Sequence, residues 1–165
     1  METALTPMEF SRRAKNLYAD REAVVDGDLR FSYAEFLERC DRWSNALQKL
    51  GVKQGDRVAY IAPNTHSHLE GYYAVPQIGA VLVPINYRLQ SSDFEYILNH
   101  CGAKIVCAHP DYMDAVDEIR GKLNSIESFV ALEGSREGWL EYETTLQAHD
   151  PDFQSVSIDE SDLIT

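Results

Sequence analysis

Between residues 57 and 132, short apolar runs alternate with amphipathic segments, and this alternation constrains the fold more than any other feature. RVAYIA (57–62), AVLVPI (80–85), KIVCA (104–108) and SFVAL (128–132) are nearly unbroken apolar runs, the pattern of strands buried on both faces. Between them, apolar residues recur at spacings of three and four, which is helical periodicity. One helix is expected from a cap at Asn64 or Thr65 toward Gly79. A second opens at Ser92 and Glu95, which have capping-box spacing, with Phe94, Ile97, Leu98 and Cys101 on one face. A third carries Met113, Val116, Ile119 and Leu123. Strands joined through helices run parallel, with right-handed crossovers. The expected class is therefore α/β, a parallel Rossmann- or flavodoxin-like sheet flanked by helices.

The flanks read differently. PMEFSRRAKNLY (7–18) has an amphipathic pattern with proline in its first turn. Asp26-Gly27-Asp28 lies between β-prone residues and predicts a hairpin. Ser32 and Glu35 form a second capping-box pair, and Tyr33, Phe36, Leu37, Cys40, Trp43, Ala46, Leu47 and Leu50 follow at helical spacing until Gly51. Tyr33, Phe36 and Trp43 are expected in the core. Beyond Leu132, residues 139–147 predict a short helix, a polar acidic connector follows, and Leu163-Ile164-Thr165 resembles the start of a strand. The organisation expected is 1–31 helix and hairpin, 32–132 alternating α/β units, and 133–165 connector.

Charge and composition remove several functions. With 27 acidic residues against 15 basic ones, the formal charge of -12 repels phosphate backbones, so general nucleic-acid binding is not expected. Three cysteines without CxxC spacing suggest buried free thiols rather than disulfides or a zinc knuckle. No apolar stretch is long enough to span a membrane, and the N-terminus lacks a basic region followed by an apolar one. A cytoplasmic protein is expected.

Local motifs add no catalytic apparatus. None of the nine glycines falls into GxGxxG or GxxxxGK[ST], so no phosphate cradle is visible. His66 and His68 form an HxH pair, but on a helix they point about 200° apart and cannot share an ion. They read as capping or surface histidines. Asp26, Asp28, Asp56, Asp93, Glu95, Asp114, Asp117 and Glu118 read as turn formers, helix caps or solvated faces. No GxSxG elbow is present.

Longer segments are more informative. FSYAEF (31–36), GDRVAYIAPN (55–64), VPQIGAVLVPINYRL (75–89) and GAKIVCA (102–108) occur in that order. Together they closely resemble the N-terminal region of adenylate-forming enzymes, the superfamily of acyl- and aryl-CoA synthetases. Pro84-Ile85-Asn86-Tyr87-Arg88-Leu89 is similar to the acyl-CoA synthetase form. The resemblance implies activation of a carboxylic acid by ATP, with Mg, to an acyl-adenylate, followed by transfer to CoA. It further implies that Asp159-Glu160-Ser161-Asp162-Leu163-Ile164-Thr165 stands just before the family's phosphate loop. The chain is then expected to be the first third of an acid–thiol ligase, silent alone, with no catalytic residue and no metal ligand of its own.

Arg88 is the one residue to which the resemblance gives a role, as a contact to a CoA phosphate, and a guanidinium suits that anion. The competing reading pairs Arg88 with Asp93 or Glu95. Asn86 reads as a turn or cap residue. A different class remains open: a free-standing α/β binding or interaction module without catalysis, which a stop codon after Thr165 would favour. A flavodoxin-like nucleotide module fits less well, because Ala62-Pro63-Asn64-Thr65-His66 is a poor phosphate loop. An apolar face exposed on such a fragment would favour self-association, including a homodimer.

Overall fold

The computed structural model describes residues 5–165. The element order is α1 (Pro7–Tyr18), β1 (Glu22–Asp26), β2 (Leu29–Ser32), α2 (Tyr33–Lys49), β3 (Arg57–Ile61), α3 (His66–Ala74), β4 (Val81–Ile85), α4 (Ser91–Cys101), β5 (Ile105–Ala108), α5 (Pro110–Ile119), β6 (Ser128–Ala131), β7 (Leu140–Glu141) and α6 (Tyr142–Gln147). Strands β3 to β7 form one sheet in the order β4-β3-β5-β6-β7, and every pair in it is parallel. β1 and β2 form a separate antiparallel hairpin. Gly27 closes that hairpin at φ 56°, a left-handed conformation that side chains disfavour.

Side-chain parity sorts the strands onto two cores. Val58, Tyr60, Leu82, Ile105, Cys107 and Val130 face one side, where Trp43 and Leu47 of α2 and Tyr142 of α6 cover them. Ala59, Ile61, Val106, Ala108, Phe129 and Ala131 face the other, under Phe94 and Leu98 of α4 and Met113 and Val116 of α5. β3, β5 and β6 are thus buried on both faces, as their unbroken apolar runs require. The capping box at α2 forms as expected: Ser32 N donates to Glu35 Oε2 at 2.8 Å, and Glu35 N donates to Ser32 Oγ at 3.3 Å. Phe36 and Trp43 are buried, and Tyr33 is half-buried.

Four local expectations are corrected. α3 ends at Ala74, and a single 3-10 turn (Pro76–Ile78) leads into left-handed Gly79, because Pro76 has no N–H to continue the helix. α4 begins at Ser91, and its N-terminal carboxylate is Asp93, which accepts from Gln90 N at 3.1 Å. Ser92 and Glu95 form no box, since Glu95 reaches across to Lys122 Nζ at 3.1 Å. Residues 140–141 join the sheet, so the helix expected at 139–147 starts only at Tyr142. Trp139 sets that register by packing on Phe129, with its Nε1 donating to Asp117 Oδ1 at 3.0 Å. α5 ends at Ile119, short of Leu123.

The polar connector is laced to the body. Gln154 and Gln48 exchange two hydrogen bonds, Val156 N donates to Gln77 O, and Leu82 N donates to Ile164 O at 2.9 Å. The Leu163-Ile164-Thr165 run therefore lies beside the β4 edge. No described helix is long and apolar enough to cross a membrane.

Candidate functional site

The loop leaving the carboxyl end of β4 carries Asn86, Tyr87 and Arg88, at the edge where α/β sheets generally place ligands. Asn86 is the turn residue expected, with its Oδ1 accepting from Arg88 N at 3.0 Å. That turn sends the Arg88 side chain outward, where it is exposed. Its guanidinium carbon lies 5.4 Å from the Tyr87 ring centre, and Tyr87 in turn packs on Tyr112 of α5 at 5.3 Å. Asp93 and Glu95, the two carboxylates considered as partners for Arg88, are engaged with Gln90 and Lys122 instead. Among the described residues Arg88 makes no salt bridge. The loop therefore presents a free cation beside an aromatic surface.

A second constellation lies at the start of α3, and local spacing did not reveal it. Glu70 is fully buried. Arg39 Nε donates to its Oε1 at 2.5 Å, and the Tyr142 hydroxyl donates to its Oε2 at 2.5 Å. The same guanidinium also pairs with Glu143. His66 completes the group: its Nδ1 lies 2.7 Å from Asp26 Oδ2 and its Nε2 lies 3.5 Å from Glu143 Oε1. Asp26 Oδ2 also accepts from His66 N at 2.8 Å. Six residues from β1, α2, α3 and α6 thus converge.

Burial pushes the Glu70 carboxyl up, against the pull of Arg39 and Tyr142. Glu143 is held down to about 2, burial being outweighed by hydrogen bonds from His66 and Arg39. The two hydrogen bonds from His66 hold Asp26 below the usual carboxylate range. His66 itself is raised, because Glu143 and Asp26 outweigh the desolvation that would lower it. The one signal of this cluster in the sequence was Glu70 four residues after His66, within the otherwise uncharged stretch HSHLEGYYA.

His68 is also buried rather than on the surface. Its ring stacks between Tyr60 and Tyr72 at 5.4 Å from each, and its Nδ1 lies 3.2 Å from Pro63 O. Its Nε2 is buried without a partner among the described residues. Desolvation lowers its pKa, favouring the neutral ring. The two histidines do not meet on one ion, and the described residues contain no group of three or more His, Cys, Asp or Glu able to hold a metal. A depression of about 310 Å³ lies over the start of α3, lined by Val25, Asp26, Asn64, Thr65, His66 and Leu69 among others. Neither it nor the Arg88 loop offers a glycine-rich cradle for a triphosphate. The Arg88 guanidinium is a chemically suitable contact for an anionic group.

Comparison with known proteins agrees with this architecture. Residues 10–165 match the family model described as AMP-binding enzyme. A long-chain-fatty-acid–CoA ligase of Thermus thermophilus is 40% identical over 151 residues, which is 88% of this chain and 28% of that protein. A 4-hydroxybutyrate–CoA ligase of Metallosphaera sedula is 33% identical over 123 residues, covering 74% of this chain and 22% of its own. A solved structure of a putative long-chain-fatty-acid CoA ligase from Rhodopseudomonas palustris superimposes with a TM-score of 0.88 at 28% identity, over 96% of this chain and 40% of that one. An anthranilate CoA ligase solved with anthranoyl-AMP shares the fold, with a TM-score of 0.93 at 22% identity over 99% of this chain and 32% of that one. The chain spans about a quarter of the length of these two curated relatives.

Proposed function

Because the chain belongs to the AMP-binding enzyme family, we propose that it is the N-terminal part of an acyl-CoA synthetase, an acid–thiol ligase. In this reading the whole enzyme couples a carboxylic acid with ATP and Mg to give an acyl-adenylate and pyrophosphate. It then passes the acyl group to CoA. The observation that carries the reading is the 40% identity to a fatty-acid–CoA ligase across 88% of the chain. Residues 1–31 and 32–132 serve as scaffold, 133–165 lead toward the phosphate loop, and catalytic and metal-binding residues lie elsewhere in the enzyme. The reading places the protein in the cytoplasm, in line with its three free thiols. The exposed Phe10, Leu17 and Tyr18 of α1 offer a surface for self-association as a homodimer.

Arg88 is assigned to a CoA phosphate. Its exposure and its lack of an ion pair among the described residues support that role, since a guanidinium already neutralised would bind a phosphate weakly. The test has two arms. With ATP, Mg and a panel of fatty acids, the 165-residue chain should release no pyrophosphate, and release would overturn the fragment reading. In the longer protein, Arg88→Ala should raise KM for CoA about ten-fold or more, as expected for loss of a charge-assisted contact of about 1.5–3 kcal/mol. Acid-dependent ATP–pyrophosphate exchange should stay unchanged. An unchanged KM for CoA would remove Arg88 from the site.

A further inference from the structure

We infer that His66 is a proton-operated latch: as an imidazolium it ties α6 to the β1–β2 hairpin, and as a neutral ring it lets α6 loosen. The inference rests on the position of the ring between two carboxylates from distant parts of the chain, Asp26 of β1 at Nδ1 and Glu143 of α6 at Nε2. An imidazolium has two N–H groups and can donate to both, whereas a neutral ring has one. That single proton stays on Nδ1, where Asp26 Oδ2 lies 2.7 Å away. Nε2 then turns a lone pair toward the Glu143 carboxylate, and an attraction at 3.5 Å becomes a repulsion.

The other charges around His66 sharpen the switch. Asp26 faces it from β1, Arg39 from α2, Glu70 from α3 and Glu143 from α6, while the Phe31 ring of β2 lies 5.7 Å away. Three carboxylates against one guanidinium leave the pocket short of positive charge, and the imidazolium supplies it. Arg39 cannot compensate for a lost proton, because its donors are already divided between Glu70 and Glu143. What remains to hold α6 is the Arg39–Glu143 ion pair, the Tyr142–Glu70 hydrogen bond, the buried Tyr142 and Leu146 side chains, and Arg42 Nη1 donating to His149 O at 2.8 Å. α6 is also where the chain turns back along α2 through Asn45 and Gln48.

The sign follows from the raised pKa of His66. The stabilisation of α6 is complete below the ordinary histidine range and is lost as pH rises through the elevated value in the closed state. The test is amide hydrogen exchange of Tyr142–Gln147, expressed as protection factors, from about pH 5 to about pH 9. His149→Gln is present in every arm, because the His149 ring contacts the end of α6, with Nδ1 2.7 Å from Thr145 O, and its removal leaves His66 as the histidine in contact with the helix. Protection should fall by up to about ten-fold per pH unit across the His66 titration followed by imidazole NMR, and helix α4 should not respond. His66→Gln, which keeps one donor and cannot be protonated, should flatten the profile. If that variant does not fold, Glu143→Gln provides a second arm, in which the His66 titration point should drop. A flat profile in the His149→Gln protein, or a His66 titration point unmoved by Glu143→Gln, overturns the latch.

Discussion

Glu70 shows how single residues divide the work in this chain. Its carboxylate has no exposed surface, and its charge is tolerated because Arg39 and Tyr142 supply three hydrogen bonds from two other helices. Removing one partner of a buried ion pair is more damaging than replacing both, since the survivor is left without compensation. Glu143 keeps part of the Arg39 charge satisfied, so Glu70→Ala should sit at the lower end of the usual range, a loss of about 3 kcal/mol. Glu70→Gln, which still accepts hydrogen bonds, should lose less. Urea unfolding midpoints check this ordering, and Glu9→Ala serves as the contrast. Glu9 pairs with an exposed Arg12, and its removal should leave the midpoint unmoved. Arg88 belongs with Glu9 in this respect. Exposed and without a salt bridge among the described residues, Arg88→Ala should shift stability by less than about 0.5 kcal/mol. Any change in CoA binding would then report on the site rather than on the fold.

At the scale of elements, Gly71 separates what local pattern encodes from what packing decides. Judged by helix propensity alone, Gly71→Ala within α3 should stabilise by about 1 kcal/mol. In the structure a Cβ there would lie 2.7 Å from Tyr60 Cζ and 3.0 Å from its hydroxyl oxygen. Tyr60 is fully buried, and its hydroxyl accepts from Trp43 Nε1 at 2.8 Å, so the ring has no room to withdraw. We expect Gly71→Ala to destabilise by about 1–3 kcal/mol, with a lowered urea midpoint, and a raised midpoint would show that the α3–β3 contact is slack. The legibility of the chain divides along the same line. The four long parallel strands could be read from unbroken apolar runs, the hairpin from its Asp-Gly pair, and helices α2 to α5 from caps and 3.6-residue spacing, because all of these are local properties. β7 escaped because Trp139, not a local period, fixes its register against β6. The cap of α4 was misplaced because two acidic residues near its start compete, and only the fold shows that Glu95 is taken by Lys122. The charge cluster was out of reach for a stronger reason: Arg39 and Glu143 are 104 positions apart, and His66 and Asp26 are 40 apart. The Arg88 loop could be singled out because its order of residues resembles a family, although its lack of a salt bridge became visible only in the fold.

For the whole molecule, the net charge of -12 and the central cluster pull in opposite directions as pH falls. Protonating surface carboxylates relieves long-range repulsion and favours the compact state. Protonating carboxylates that are better paired in the folded state than in the unfolded one disfavours it. Glu143, held at about 2 against an ordinary value of 4.5, contributes stability that is complete above 4.5 and disappears as pH drops toward 2. Asp26, also depressed, follows the same sign from its ordinary value of 3.8. Glu70 is raised and runs the other way, so acidification relieves the strain of burying its charge. The large depression of Glu143, which loses its pairing with Arg39 and His66 on protonation, makes acidification destabilising. Unfolding free energy from urea titrations should therefore fall with pH below 4.5. Glu143→Gln should be less stable than the parent at neutral pH, yet lose less on acidification, because its side chain has no proton to take up. A parent and a variant with the same slope below 4.5 would mean that the cluster does not govern acid stability and that the dispersed surface charge does.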